Sequence, residues 1–170
     1  MCGISGIINS SLNANEVQNH LVRMLNAINH RGPDDSGLYS YKNIAIGMKR
    51  LSIIDLELGQ QPIVSRDGRI ILICNGEIYN YNILKTTYCK DYIFKTNSDV
   101  EVIIPLYQKY GIEAFSLLDG MFSIAILDTY NDKLILSRDR YGIKPIYYYN
   151  DANYFLFSSE IKSIIKVKPD

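Results

Sequence analysis

Cys2-Gly3-Ile4-Ser5-Gly6-Ile7-Ile8-Asn9 starts one residue from the N-terminus, and the rest of the chain is read outward from it. An uncharged run rich in Ile and Gly reads as a short apolar strand with both faces covered. The N-terminus would then sit at the end of a buried sheet. Removal of Met1, which a small following residue permits, would leave Cys2 carrying both a thiol and a free α-amine. Such an amine titrates at roughly 7.7–8.0 and can take the thiol's proton, so nucleophile and base come from one position. Taken alone, a cysteine at position two is more simply an accident of sequence.

Outward from this strand, Asn13 to Asn29 carries Val17, Leu21, Leu25 and Ile28 at helical spacing. Strands follow at Gly37 to Tyr41, Ile44 to Arg50 and Arg69 to Asn75, the last apolar enough to be covered on both faces. Ser98 and Glu101 match a capping box at the start of the next helix. Pro105 lacks the N–H that would bond the Glu101 carbonyl, which predicts a kink or a tightened turn. Gly111 predicts a pause before a second helical stretch ending near Leu118. Strands at Met121 to Asp128, Lys133 to Asp139, Pro145 to Tyr149 and Tyr154 to Ser158 precede a short helix from Glu160 to Val167. Helices between runs of hairpin-linked strands predict an α+β fold on largely antiparallel sheets. Helix, sheet, sheet and helix is the preferred stacking, though spacing alone does not separate it from a single sheet.

The chain has 170 residues, which suits one domain with a substantial core. Eighteen basic side chains balance eighteen acidic ones, so no net field draws it to nucleic acid or membrane. No apolar run reaches transmembrane length and no secretory signal is visible. Three cysteines, Cys2, Cys74 and Cys89, show no metal-ligand spacing and favour free thiols in a reducing, cytoplasmic setting.

Several other segments could carry chemistry. Asn75-Gly76, at the end of an apolar strand, could offer an amide and a backbone N–H to an oxyanion, or could simply be a turn. Arg50, at a strand end, could clamp a carboxylate or be a solvated charge. Asp99, in the first turn of its helix, could pair with an ammonium group or favour the helix dipole.

Together these residues resemble the N-terminal-nucleophile (class II) glutamine amidotransferase domain of glutamine-hydrolysing asparagine synthetases. The resemblance rests on Met1 to Gly6, His30-Arg31-Gly32-Pro33-Asp34, Arg50-Leu51-Ser52-Ile53-Ile54-Asp55, Gln61-Pro62 and Asn75-Gly76-Glu77-Ile78-Tyr79-Asn80. It continues through Thr96 to Asp99, Leu118 to Phe122, Arg138 to Pro145 and Ser158 to Glu160, in family order along the whole chain. It implies the four-layer αββα sandwich of the Ntn hydrolases, built from two mainly antiparallel sheets, with residues 1–170 forming one glutaminase domain. By the same resemblance, Cys2 attacks the side-chain amide of L-glutamine, and Asn75 and Gly76 form the oxyanion hole. Arg50 holds the substrate's carboxylate, Glu77 and Asp99 lie near its α-amine, and Ile53 and Ile54 wall the pocket. His30 to Asp34 is expected to order a loop beside the nucleophile rather than supply a Cys–His pair. Arg138 and Asp139 are expected to form a structural ion pair.

The family pattern implies no cofactor or metal in this domain. ATP and magnesium belong to a C-terminal synthetase domain whose Ser-Gly-Gly-x-Asp-Ser loop does not occur in these residues, so the chain is expected to be an excised or split glutaminase domain. Expected partners are L-glutamine and that synthetase domain, with a homodimer left open and no nucleic acid or membrane. The ammonia is expected to serve conversion of aspartate to asparagine. Other acceptors, such as a sugar or a peptide carboxylate, and a non-catalytic docking module are the alternatives. A self-processing peptidase fits poorly, since Arg50 with Asp99 reads as amino-acid recognition.

Overall fold

A computed structural model describes residues 1–51 and 59–168. Strand β1 (Gly3–Asn9) leads into helix α1 (Ala14–Ala27) and a 3-10 turn at Asn29–Arg31. Then come β2 (Asp35–Tyr41), β3 (Ile44–Arg50), β4 (Ile63–Val64), β5 (Ile70–Ile78) and α2 (Tyr81–Tyr88). A second 3-10 turn at Asp99–Val102 runs into α3 (Ile103–Tyr110), and a third spans Gly111–Leu117. The chain finishes with β6 (Gly120–Asp128), β7 (Lys133–Arg138), β8 (Tyr147–Asn150), β9 (Tyr154–Ser158) and α4 (Ile161–Ile165).

Among the described residues these strands form two sheets, ordered β2-β3-β1-β9-β8 and β4-β5-β6-β7, with every paired neighbour antiparallel. Alternation along each strand sorts side chains between layers. Ile4, Ile46, Met48 and Phe157 of the first sheet meet Ile71, Ile73, Ala125 and Leu127 of the second. The opposite face of the first sheet, with Ile7, Ala45 and Leu156, is covered by Val17, Leu21, Met24 and Leu25 of α1 and Ile164 of α4. Ile70, Leu72, Ile124 and Ile126 point the other way from the second sheet, onto Leu84, Val102, Ile103, Ile104 and Leu106. Each such side chain contributes about 1.5–3 kcal/mol on burial. Three apolar seams therefore separate four layers, in the expected helix, sheet, sheet, helix order.

Several local expectations change. Ser98 makes no side-chain cap bond: the Glu101 N–H meets the Ser98 carbonyl (3.4 Å), and the fully buried Glu101 carboxylate turns back to accept from Lys95 N (2.8 Å), Thr96 N (2.7 Å) and Thr96 Oγ1 (2.7 Å). Pro105 is absorbed by a tightened turn: residues 99–102 are 3-10, and the Glu101 carbonyl is met by the Ile103 N–H. The stretch after Gly111 is 3-10 rather than α. Arg138 and Asp139 do not pair. Arg138 Nε holds the Lys144 carbonyl, while Asp139 accepts from the backbone of Phe122, Tyr141, Ile143 and Lys144. Among the described residues no helix is long and apolar enough to cross a membrane.

Candidate active site

Strand parity places the key side chains. Ile4 faces the seam between the sheets, so Cys2, two residues earlier, faces it too and packs against that core. On β3, Ile46 and Met48 put Arg50 on the same face, 5% exposed. On β5, Ile71 and Ile73 do the same for Asn75 and Glu77. Cys2, Arg50, Gly76, Glu77 and Asp99 line one cleft, with Asn75 buried beside it. Ile53 and Ile54 lie outside the described residues.

Cys2 is held at three points. Its sulfur accepts from Leu51 N (3.4 Å) and lies 3.5 Å from Leu51 O, and its carbonyl accepts from Arg31 Nε at 2.9 Å. Arg31 Nη1 in turn reaches Glu160 Oε1 at 3.0 Å, and His30 Nε2 lies at 3.0 Å from the same oxygen. Burial pushes the Glu160 carboxyl up, but Lys162, Arg31 and His30 outweigh it and hold the group down at about 2. Gly32 lies flat against β3, where a Cβ would come 2.2 Å from the Lys49 carbonyl carbon. Asp34 N donates to Arg50 O at 3.2 Å. The His30 to Asp34 segment thus lies against Cys2 and the end of β3, with His30 turned to Glu160.

Asn75-Gly76 is not a turn. Both residues are strand, with Asn75 opposite Ser123 and Gly76 opposite Phe122. A Cβ on Gly76 would stand 2.1 Å from Met121 O, so only glycine lets β5 and β6 approach here. Among the described residues, Asn75 Nδ2 is buried without a hydrogen-bond partner, as is Ser123 Oγ across the strand pair. Leaving such a donor unmet costs about 1–3 kcal/mol, which marks Asn75 as an amide awaiting an acceptor. Just upstream, the Gln61 side chain clamps β5 through both amide atoms, accepting from Cys74 N (2.6 Å) and donating to Cys74 O (3.3 Å).

Asp99 is tied to the same strand, its Oδ2 accepting from Ile78 N at 2.6 Å. Burial raises its carboxyl above the ordinary value. The Ile78 N–H and its own and Val100's backbone pull the other way, and the Glu77 charge adds to the rise. The Cys74 thiol, also at the cleft, is raised by burial, then by Asp99 and Cys2, against an opposing influence from Lys144. A cation on one wall, two acids on another, a thiol and an unmet amide suit a zwitterionic amino acid whose side chain reaches Cys2.

Sequence reading assigned no chemical task to Arg31 and no role to Gln61, though both lie inside motif blocks. Their sequence signal was the block itself, since neither spacing nor local pattern ties Arg31 to the Cys2 carbonyl or Gln61 to Cys74.

Residues 1–169 match a family model described as glutamine amidotransferase domain. Over 166 residues the chain is 45% identical to an asparagine synthetase [glutamine-hydrolyzing] 2 of Bacillus subtilis, covering 96% of this chain and 22% of that protein. It is 38% identical to asparagine synthetase B [glutamine-hydrolyzing] of Escherichia coli, covering 98% of this chain and 30% of that one. Among solved structures, the glutamine phosphoribosylpyrophosphate amidotransferase of B. subtilis matches with a TM-score of 0.80 at 20% identity. That likeness covers 98% of this chain and 44% of that one, and it speaks to the fold. The chain thus spans only 22% and 30% of the length of these two curated relatives.

Proposed function

This chain belongs to the glutamine amidotransferase domain family, and from that premise we propose that it hydrolyses L-glutamine to glutamate and ammonia through Cys2. With Met1 removed, the α-amine takes the Cys2 proton and the sulfur attacks the side-chain carbonyl carbon of glutamine. Asn75 Nδ2 and the Gly76 N–H receive the oxyanion. As the C–N bond breaks, the protonated amine returns its proton to the departing nitrogen, leaving a thioester. Water, deprotonated by the same amine, then releases glutamate. The reading needs no cofactor in this domain.

Arg50 is assigned to the substrate's α-carboxylate, and Glu77 and Asp99 to its α-ammonium. The observation that carries the proposal is the buried, unpartnered Asn75 amide beside a cleft that also holds Cys2 and Asp99. Preorganised donors of this kind favour the transition state over the substrate.

A consequence concerns pH. Only ionised Asp99 attracts the substrate's ammonium, and burial raises the pH at which it ionises. KM for glutamine should therefore rise as pH falls through the Asp99 value. Asp99→Asn should raise KM about 10–100-fold at neutral pH, the range for losing a bond to a charged group, and remove the Asp99 part of the acid-side rise. Steady-state glutamate release across pH checks this, and an unchanged KM in the variant would remove Asp99 from the site.

The relatives' names lead us to place this domain at the head of an ATP-dependent asparagine synthetase, where its ammonia converts aspartate to asparagine. Glutamine labelled with ¹⁵N at the amide should yield ¹⁵N-asparagine from the parent protein. Label appearing only as free ammonia, with aspartate and ATP present, would reject that placement.

A further inference from the structure

Lys144 lies in the turn between β7 and β8 and is only 6% exposed. Its backbone is fixed at both ends, the N–H donating to Asp139 Oδ2 (3.0 Å) and the carbonyl accepting from Arg138 Nε (2.9 Å). The side chain runs to the N-terminus, where Nζ meets the Met1 thioether at 3.5 Å. A buried ammonium is ordinarily paired with a carboxylate. Among the described residues Lys144 joins no ion pair, and a thioether sulfur is a weak acceptor.

Removal of Met1, on which the glutaminase reading rests, takes away that sulfur and creates the Cys2 α-amine beside it. A fully extended methionine side chain puts its sulfur no more than roughly 6 Å from the next residue's nitrogen. The Lys144 ammonium therefore lies within about 10 Å of the new amine.

We infer that Lys144 supplies the fixed positive charge that keeps the α-amine of processed Cys2 neutral and able to accept a proton. It acts through space, as a like charge that disfavours protonation of the amine. The other charges around Cys2 are committed elsewhere. Arg31, from the 3-10 turn after α1, reaches the Cys2 carbonyl but is paired with Glu160 at the start of α4, which also takes His30 and Lys162. Arg50 on β3, Glu77 on β5 and Asp99 in its 3-10 turn line the cleft, and the glutaminase reading assigns them to the two charged ends of the substrate. Cys74 on β5 is buried with its thiol raised, chiefly by desolvation, and stays neutral. Among the described residues Lys144 is left without a countercharge. Two like charges about 10 Å apart at an effective dielectric of about 20 shift the amine by about one pH unit.

The test uses protein with Met1 removed, verified by intact mass, as wild type, Lys144→Met and Lys144→Arg. Two readouts are taken against pH: kcat/KM for glutamine, and the rate of Cys2 alkylation by iodoacetamide, in which thiol and amine titrate as a coupled pair. In Lys144→Met, whose side chain is similar in size and uncharged, the rising limb should move up by about one pH unit. Its rate should be about tenfold low on the acid side and rejoin wild type in alkali, while Lys144→Arg keeps the wild-type limb. A thermal melt confirms folding, and Lys144→Gln makes the same comparison if the methionine variant does not fold. Coincident limbs in wild type and neutral variant overturn the inference, as does retention of Met1. A shifted alkylation limb in a protein that hydrolyses no glutamine would uphold the charge effect and sink the glutaminase reading instead.

Discussion

Cys2→Ala should abolish glutamate release, lowering kcat by at least about four powers of ten, as loss of a covalent nucleophile does elsewhere. The expectation follows from position. Cys2 lies at the cleft, with its sulfur at Leu51 and its carbonyl fixed by Arg31. Neither other cysteine can replace it. Cys74 borders the cleft, but it and Cys89 are both buried among the side chains packed between the second sheet and its helices. Burial raises both of their thiols, which leaves less thiolate. Alanine at position 2 removes only a half-buried side chain, so the melting temperature should stay close to wild type. Substantial glutamate release from the folded variant would rule out Cys2 as the nucleophile.

Asn75→Ala should lower kcat by about two to three powers of ten while KM for glutamine stays near its wild-type value. An oxyanion-hole donor binds charge that develops only as the tetrahedral intermediate forms, so the ground-state complex loses little. Asn75 Nδ2 has no partner among the described residues, and the strand that carries it is pinned by Gln61 at Cys74 and by Asp99 at Ile78. Steady-state kinetics separates the two parameters. A variant that raises KM and leaves kcat intact would make Asn75 a substrate-binding group instead.

Where a strong local pattern coincided with a buried face, the sequence was a good guide. Val17, Leu21, Leu25 and Ile28 marked α1 because all four enter the seam beneath it. Tyr154 to Ser158 and Ile44 to Arg50 have the boundaries their composition suggested. The failures came where tertiary contacts outvoted local chemistry. Strand β5 runs on through Gly76 to Ile78 because the missing side chain lets β6 lie close, so a dipeptide typical of turns became strand. The Glu101 side chain turned from Ser98 to four donors in the preceding loop. The two-residue strand β4 is too short to show a period, and α2 buries only Leu84, too narrow a stripe to stand out.

The site was legible for a related reason. Cys2, Arg50, Asn75 and Glu77 continue the inward-facing alternation of strands whose apolar residues are plain in the sequence. What links them across the chain was not legible. Arg31 to the Cys2 carbonyl, Gln61 to Cys74 and Lys144 to Met1 each join segments that no local pattern connects.

The most direct measurement treats the protein with an electrophilic glutamine analogue and maps the adduct by intact and peptide mass. A single adduct on Cys2 of a chain lacking Met1, formed more slowly when excess L-glutamine is present, is expected if Cys2 is the nucleophile. A folded chain lacking Met1 that stays unlabelled at Cys2, or labels there at a rate indifferent to glutamine, would contradict it.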